Sequence, residues 1–476
     1  MTLWCVRGRW RTVRRVPLCA CAFLHNASGW SGVLDNAKQA LVGGENVNAM
    51  LRDPLDVVGQ ELSSTRHNIA SLLGSGHPSL DKIGKYYFQA EGKHVRPMVV
   101  MLIAKATNGL SPAWANERIA GIGADVDETI SPERVLNDVN PSAPDGAAPA
   151  YPIVSKPYRP ALQQAILPTQ RRLAEITEMI HVASLLHDDV IDASPMRRGE
   201  PSAPSTFGNK LSILGGDFLL GRASIALARL RDPEVIELMS TVIANLVEGE
   251  VMQMRAQSME QLPVTDVGAT LPSDYILDTF WASGASQPEN GPTAEMFRYY
   301  LQKTYLKTAS LLAKSARSAV VLGGCGQSTA ERDTLDATQR AAMAKICDTA
   351  YVFGRNVGIA FQLVDDLLDF KSSSEAFGKP SGGADLQLGL ATAPVLYAWQ
   401  ELPDSGMGEM VRRRFSREGD VQEALAIVRR SGGLERTAEL ARYHAFLAEE
   451  ALRTLPESDA RAALMQLNQQ IITRIK

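Results

Sequence analysis

The chain is poor in cysteine, in aromatic residues and in long unbroken apolar runs. Five cysteines occur in 476 residues, and Cys5, Cys19 and Cys21 crowd the start. The remaining pair, Cys325 and Cys347, makes neither a zinc site nor a disulfide framework and fits a reducing compartment. No stretch reaches the ~18 uninterrupted apolar residues of a bilayer-spanning helix, so any membrane contact is peripheral. Excess charge of one sign is missing too. A net charge of −4 from 49 basic and 53 acidic residues excludes a general nucleic-acid surface. With 45% hydrophobic and 21% charged residues, the chain is neither disordered nor fibrous.

Acids are absent before Asp35, whereas Arg7, Arg9, Arg11, Arg14 and Arg15 all precede it. Arginines without acids, interspersed with Trp4, Trp10 and Val13, read as a mitochondrial transit peptide with a spacer over residues 1–45. That places the protein in the matrix or on the matrix face of the inner membrane. A secretory signal fits less well, because the apolar run Val16–Leu24 is short and polar, Gly-rich sequence follows it.

Alternating, strand-like patterns and internal repeats are also lacking. Apolar residues instead recur every three or four positions, as in Leu173, Ile176, Met179, Ile180, Ala183, Leu186 and Val190. The same rhythm runs through Val235–Met254, Phe297–Leu322 and Ala341–Phe370. Two stretches break it, a proline-rich one at about 110–160 and a polar one at about 257–292. The expectation is an all-α domain over 46–476, one large antiparallel bundle with two polar insertions.

Within this frame His187-Asp188-Asp189-Val190-Ile191-Asp192 stands out. Asp188 and Asp192 share a helix face, where like charges repel by a few tenths of a kcal/mol. An exposed face would dissipate that repulsion. Thr177, His181, Ser184 and Asp188, however, form a polar stripe on an otherwise apolar helix, which points to a polar cavity. A second cluster, Asp365-Asp366-Leu367-Leu368-Asp369, ends another apolar helix, with Gln362 and small Gly358 on the preceding turns. Oxygen ligands without cysteine or histidine clusters favour magnesium or manganese over zinc. Magnesium held by few carboxylates is usually shared with substrate phosphates, so two such walls would clamp a diphosphate.

A diphosphate also needs fixed cations. Lys93 and Arg96 lie three apart in Glu91-Gly92-Lys93-His94-Val95-Arg96-Pro97. Arg197 and Arg198 follow the first acid cluster, where a forked guanidinium pair suits phosphate oxygens. Lys307, beside Thr308 inside an apolar helix, needs an anionic partner unless it snorkels to the surface. Lys379 follows the second cluster on a glycine-rich loop.

These segments, GKHVRP, HVASLLHDDVIDASPMRRG, LGGDFLLGRA, YLKTA, FQLVDDLLDF and GKPSGGADL, occur in that order. Together the chain resembles the trans-isoprenyl diphosphate synthases, specifically the long-chain polyprenyl diphosphate synthases of ubiquinone side-chain synthesis. The resemblance implies an isoprenoid-synthase bundle around a deep central cavity. It also implies a homodimer or higher oligomer, and two to three magnesium ions per site for which manganese can substitute.

By resemblance, Asp188 and Asp192 bind metal with an allylic diphosphate (farnesyl or geranylgeranyl), which Arg197, Lys307, Thr308 and Gln362 also touch. Asp365, Asp366 and Asp369 form the opposite wall, with Asp365 and Asp369 as ligands and Lys379 closing over it. Lys93, Arg96, His181 and Arg198 would hold isopentenyl diphosphate. The implied reaction is metal-assisted ionisation of the allylic diphosphate followed by 1′-4 condensation, one five-carbon unit per cycle. Short-chain members carry an aromatic residue where this chain has Ala183, with Ser184 beside it. Small residues there imply an open tunnel and a product of thirty carbons or more. The alternatives are a geranylgeranyl diphosphate synthase and a non-catalytic subunit of a heteromeric synthase. Where some relatives carry a further lysine, this chain has Gly389-Leu390, which leaves one phosphate contact open.

Overall fold

The structure is a computed structural model that describes residues 52–74, 77–89, 94–115, 126–136, 166–197, 199–257, 290–327, 335–371 and 383–474. The leader of 1–45, most of both insertions, and Lys93, Arg198 and Lys379 lie outside the described residues.

The first helices are α1 (Pro54–Leu72), α2 (Pro78–Gln89) and α3 (Val95–Thr107), then α4 (Pro168–Ile191), α5 (Asn209–Arg229) and α6 (Pro233–Gln257). After the second insertion come α7 (Ala294–Thr304), a π-helical turn at Tyr305–Ala309, α8 (Ser310–Val320) and α9 (Ala337–Lys371). The C-terminal part adds α10 (Ala393–Glu401), α11 (Asp420–Arg430), α12 (Gly433–Arg453) and α13 (Asp459–Thr473). Among the described residues the one departure from an all-helical chain is a two-residue ladder pairing Met196 with Pro201 and Arg197 with Glu200.

Helix α4 carries the first acid cluster, and both its ends are fixed by local chemistry. Pro168 opens it, where the missing N–H costs nothing. The Gln170 side chain accepts from the Leu167 N–H at 2.9 Å, exchanges amide hydrogen bonds with Asn108, and donates to the Ala319 carbonyl at 2.8 Å. One buried side chain thus ties the foot of α4 to α3 and α8. At the other end the Asp192 N–H still reaches the Asp188 carbonyl, Ala193 turns to φ 49°, and Pro195 prevents continuation.

Helix α9 carries the second cluster. Its glycines explain how close it comes to the segment before it. A Cβ on Gly358 would sit 2.5 Å from the Ala309 Cα, and one on Gly354 would sit 2.5 Å from the Leu312 carbonyl oxygen. The bundle core is built of apolar side chains, with Leu173, Ile176 and Ile180 of α4 and Phe353 and Val357 of α9 fully buried. Cys325 and Cys347 are free and buried, and burial pushes their thiols up to about 11 and about 12, out of reactive range.

The count of uninterrupted apolar residues does not register one helix. Helix α5 is long and apolar enough, by length and composition, to cross a bilayer. Its charged residues break the run, so a count of uninterrupted apolar residues passes over it. The helix packs against α4, as a core helix of a bundle does. It leaves Ile213, Leu214 and Ile225 exposed, and α6 leaves Val247, Val251 and Met254 exposed.

Candidate active site

A cavity of about 400 Å³ opens between α4 and α9. Its wall includes Arg96 of α3, His181, Ser184 and Asp188 of α4, Arg197 of the ladder, Lys307 and Thr308 of the π-helical turn, and Gln362, Asp365 and Asp366 of α9. Residues nominated from distant stretches of sequence therefore share one space. The acids of both clusters stand at helix C-termini, the negative pole of the backbone dipole, where carboxylates are disfavoured.

Burial deepens that cost. The Asp188 carboxyl is pushed up to about 7, chiefly by burial and further by Glu250 and Asp192, against the pull of Lys307. Asp192, Asp365 and Asp366 are also raised, again chiefly by burial. Acids crowded into one cavity at the negative ends of two helices call for added positive charge. Among the described residues no three such ligands converge tightly enough to cage an ion alone. An oxygen-only donor set that leaves coordination positions to water and phosphate fits magnesium in this setting.

The individual acids differ in how free they are. Asp366 is fully engaged: Tyr300 donates to its Oδ2 at 2.6 Å and Gln362 donates to its Oδ1 at 2.8 Å. Thr308 in turn donates to Gln362 at 2.8 Å, so Thr308 and Gln362 form a relay that orients Asp366. Asp365 faces the cavity with Arg474 of the C-terminal segment 3.0 Å away. Asp369 lies off the cavity wall, and its carboxylate accepts from the Ala384 and Asp385 N–H groups at 3.0 and 3.2 Å, capping the short helix Ala384–Gln387. Asp192 also stands behind the wall, with Gln253 donating to it at 3.4 Å.

Ala183 and Ser184 part company. Consecutive helical residues point about 100° apart, and here that step takes Ala183 off the cavity wall. Ser184 lines it, whereas Ala183 is fully buried in the core and off the wall.

Lys307 finds the anionic partner its position demands. Its ammonium is bonded to Glu250 and lies 3.1 Å from the Gln253 side-chain oxygen. A Cβ on Gly249 would come within 2.6 Å of the Lys307 Cγ, so glycine at 249 is what admits the lysine stem. Sequence reasoning passed over Glu250 and Gln253, although an acid and an amide three apart on an apolar helix were a readable signal. It also passed over Tyr300, Lys303, Asp385 and Arg474. Asp385 is pushed up to about 7 by burial and then by Asp366 and Asp369. The repeat Lys303-Thr304-x-x-Lys307-Thr308 was the available clue to Lys303.

The polyprenyl synthetase family model matches residues 156–428. The chain is 44% identical over 458 residues to a probable hexaprenyl pyrophosphate synthase, mitochondrial, of Yarrowia lipolytica, covering 94% of this chain and 89% of that protein. It is 42% identical to the hexaprenyl pyrophosphate synthase, mitochondrial, of Saccharomyces cerevisiae, covering 89% of this chain and 91% of that one. In fold it is similar to a polyprenyl synthase from Caulobacter crescentus crystallised with calcium and isoprenyl diphosphate. That match has a TM-score of 0.60 and 24% identity, covering 89% of this chain and 97% of the other. With its two acid clusters brought to one cavity and the family's pattern running through most of its length, the chain belongs to the polyprenyl synthetase family.

Proposed function

We propose that the protein is a long-chain trans-polyprenyl diphosphate synthase. It condenses isopentenyl diphosphate successively onto an allylic diphosphate and supplies the isoprenoid tail of ubiquinone in the mitochondrion. The observation that carries this reading is the meeting of Asp188 with Asp365 and Asp366 in one cavity also lined by Arg96, Arg197 and Lys307. The mitochondrial, hexaprenyl names of similar proteins support a thirty-carbon product over a geranylgeranyl one. Retention of all six aspartates supports a catalytic chain over a non-catalytic subunit.

Asp188, Asp192, Asp365 and Asp369 would hold two to three magnesium ions, or manganese in their place. When bound, the metal supplies charge neutralisation for the leaving diphosphate. Lys307 and Arg197 add fixed positive charge where negative charge grows as the allylic C–O bond breaks. Arg96 and His181 hold isopentenyl diphosphate so that its double bond lies near C1 of the allylic cation, and the gain is largely one of proximity. Loss of a proton, in keeping with the family to the released diphosphate, completes each cycle. The growing apolar tail leaves the carboxylates along the Ser184 side of α4. The exposed apolar residues of α5 and α6 support a homodimer. A greasy product supports peripheral contact with the inner membrane.

Purified protein incubated with farnesyl diphosphate, labelled isopentenyl diphosphate and magnesium tests this. The expected result is metal-dependent label in an all-trans chain of thirty carbons or more. No incorporation overturns the reading, and a product that stops at twenty carbons overturns its chain length.

A further inference from the structure

The cations on the cavity wall are not equivalent. Arg197 is gripped by Asp189 and Lys307 by Glu250, so each already has a protein acid of its own. Lys303 stands one turn before Lys307 on the same face and lines the same cavity. Among the described residues no carboxylate closes on its ammonium at ion-pair distance, and the contact recorded for it is the Tyr300 ring, 5.7 Å to the centroid. Burial pulls this lysine down, while Asp366 and Asp385 pull it back up. A buried ammonium without a close acid is costly to keep, and a bound anion offsets that cost.

We propose that Lys303 is a diphosphate-contacting residue, a cation held on the second wall for a substrate oxyanion rather than for a protein acid. The inference rests on the reading of this cavity as a diphosphate site and adds a residue to it. Three features favour a ligand over a structural counter-ion. Lys303 lines the cavity. The nearby Asp366 already has Tyr300 and Gln362 on its two oxygens. The adjoining turn, Tyr305–Ala309, is π-helical, a local widening common at functional sites. A lysine there presents three donors on a compact charge, suited to phosphate oxygens that lack a fixed plane.

The test titrates farnesyl thiolodiphosphate, which does not ionise readily, into the magnesium-containing full chain by calorimetry. Wild type, Lys303→Met, Lys303→Gln and Lys303→Arg are compared, together with the Tm of each metal-free protein. Loss of one charge-assisted contact weakens binding roughly tenfold or more in the Met and Gln variants, and Arg restores most of it. The metal-free Tm of Lys303→Met stays level or rises, because an unpaired buried charge has gone. The Gln variant keeps the comparison alive should the Met variant fold poorly. Unchanged affinity in the neutral variants overturns the assignment of Lys303 alone, as does a fall in metal-free Tm that Arg does not restore. Absence of magnesium-dependent binding to the wild type overturns the diphosphate reading itself.

Discussion

Arg197 forks onto Asp189, its Nε lying 2.7 and 2.8 Å from the two carboxylate oxygens. Asp189 is fully buried and also receives the Tyr87 hydroxyl, which in turn accepts from the Ala203 N–H at 2.8 Å. The middle aspartate of the first cluster is therefore a structural anchor. It fixes Arg197 at the cavity wall and leaves Asp188 to face the cavity, with Asp192 behind it. Tyr87→Phe removes two hydrogen bonds, the one to Asp189 and the one from the buried Ala203 N–H, and is expected to cost about 2 kcal/mol in urea unfolding. Asp189→Asn, which leaves the Arg197 charge without its partner, is expected to cost about 3 kcal/mol. A larger loss in the tyrosine variant would contradict this ranking.

Product length should respond to Ser184 more cleanly than to Ala183. Ser184→Phe is expected to shorten the chain at little cost in stability, because its side chain faces open volume. Ala183→Phe must enter a filled core and is expected to lose about 1–3 kcal/mol, with a shorter product following from the displaced helix. Sizing of products beside Tm values for both variants checks this. An unchanged product in Ser184→Phe would remove the tunnel from the account.

Two glycines that look alike in sequence should fail differently. At Gly358 an added methyl meets the backbone of Ala309, so Gly358→Ala is expected to lower stability by about 1–3 kcal/mol. At Gly249 it meets first the stem of Lys307, a side chain that can shift, and then the Leu306 Cβ and the Lys307 backbone nitrogen, both at 3.1 Å. Gly249→Ala is therefore expected to lower stability less than Gly358→Ala does and to lose kcat roughly tenfold as Lys307 is displaced.

The raised carboxyls give a signed pH dependence. Asp188 and Asp385 bind protons more tightly folded than unfolded, up to about 7 against an ordinary 3.8. Their stabilising contribution is complete below the unfolded value and is lost as pH rises through the folded one. Metal-free protein should lose Tm steadily between about pH 4 and pH 7, and magnesium with diphosphate should restore most at the alkaline end. A metal-free Tm that climbs over that interval would contradict the electrostatic description.

The helical rhythm of residues 173–190 and the paired acids made the bundle and the two walls legible in sequence. Periodicity reports which face is apolar, and repeated acids on apolar helices demand a common cause. Partners across the cavity were not legible. Glu250 and Gln253 matter because α6 lies beside the π-helical turn; the local pattern of α6 marks a polar pair but does not name its partner. Asp369 shows another limit: its motif position reads as a ligand, and nothing in the sequence says that its carboxylate also caps the next helix. Ala183 and Ser184 are adjacent in sequence, and only the helix azimuth separates core from cavity.

Binding of Mn²⁺, followed by electron paramagnetic resonance with and without farnesyl thiolodiphosphate, tests the two facing walls most directly. The account predicts weak binding of the ion alone and tight binding of two or three ions with the diphosphate. It also predicts that Asp188→Asn and Asp365→Asn, on opposite walls, each abolish the tight sites. Tight binding without the diphosphate, or tight binding that survives both substitutions, would contradict it.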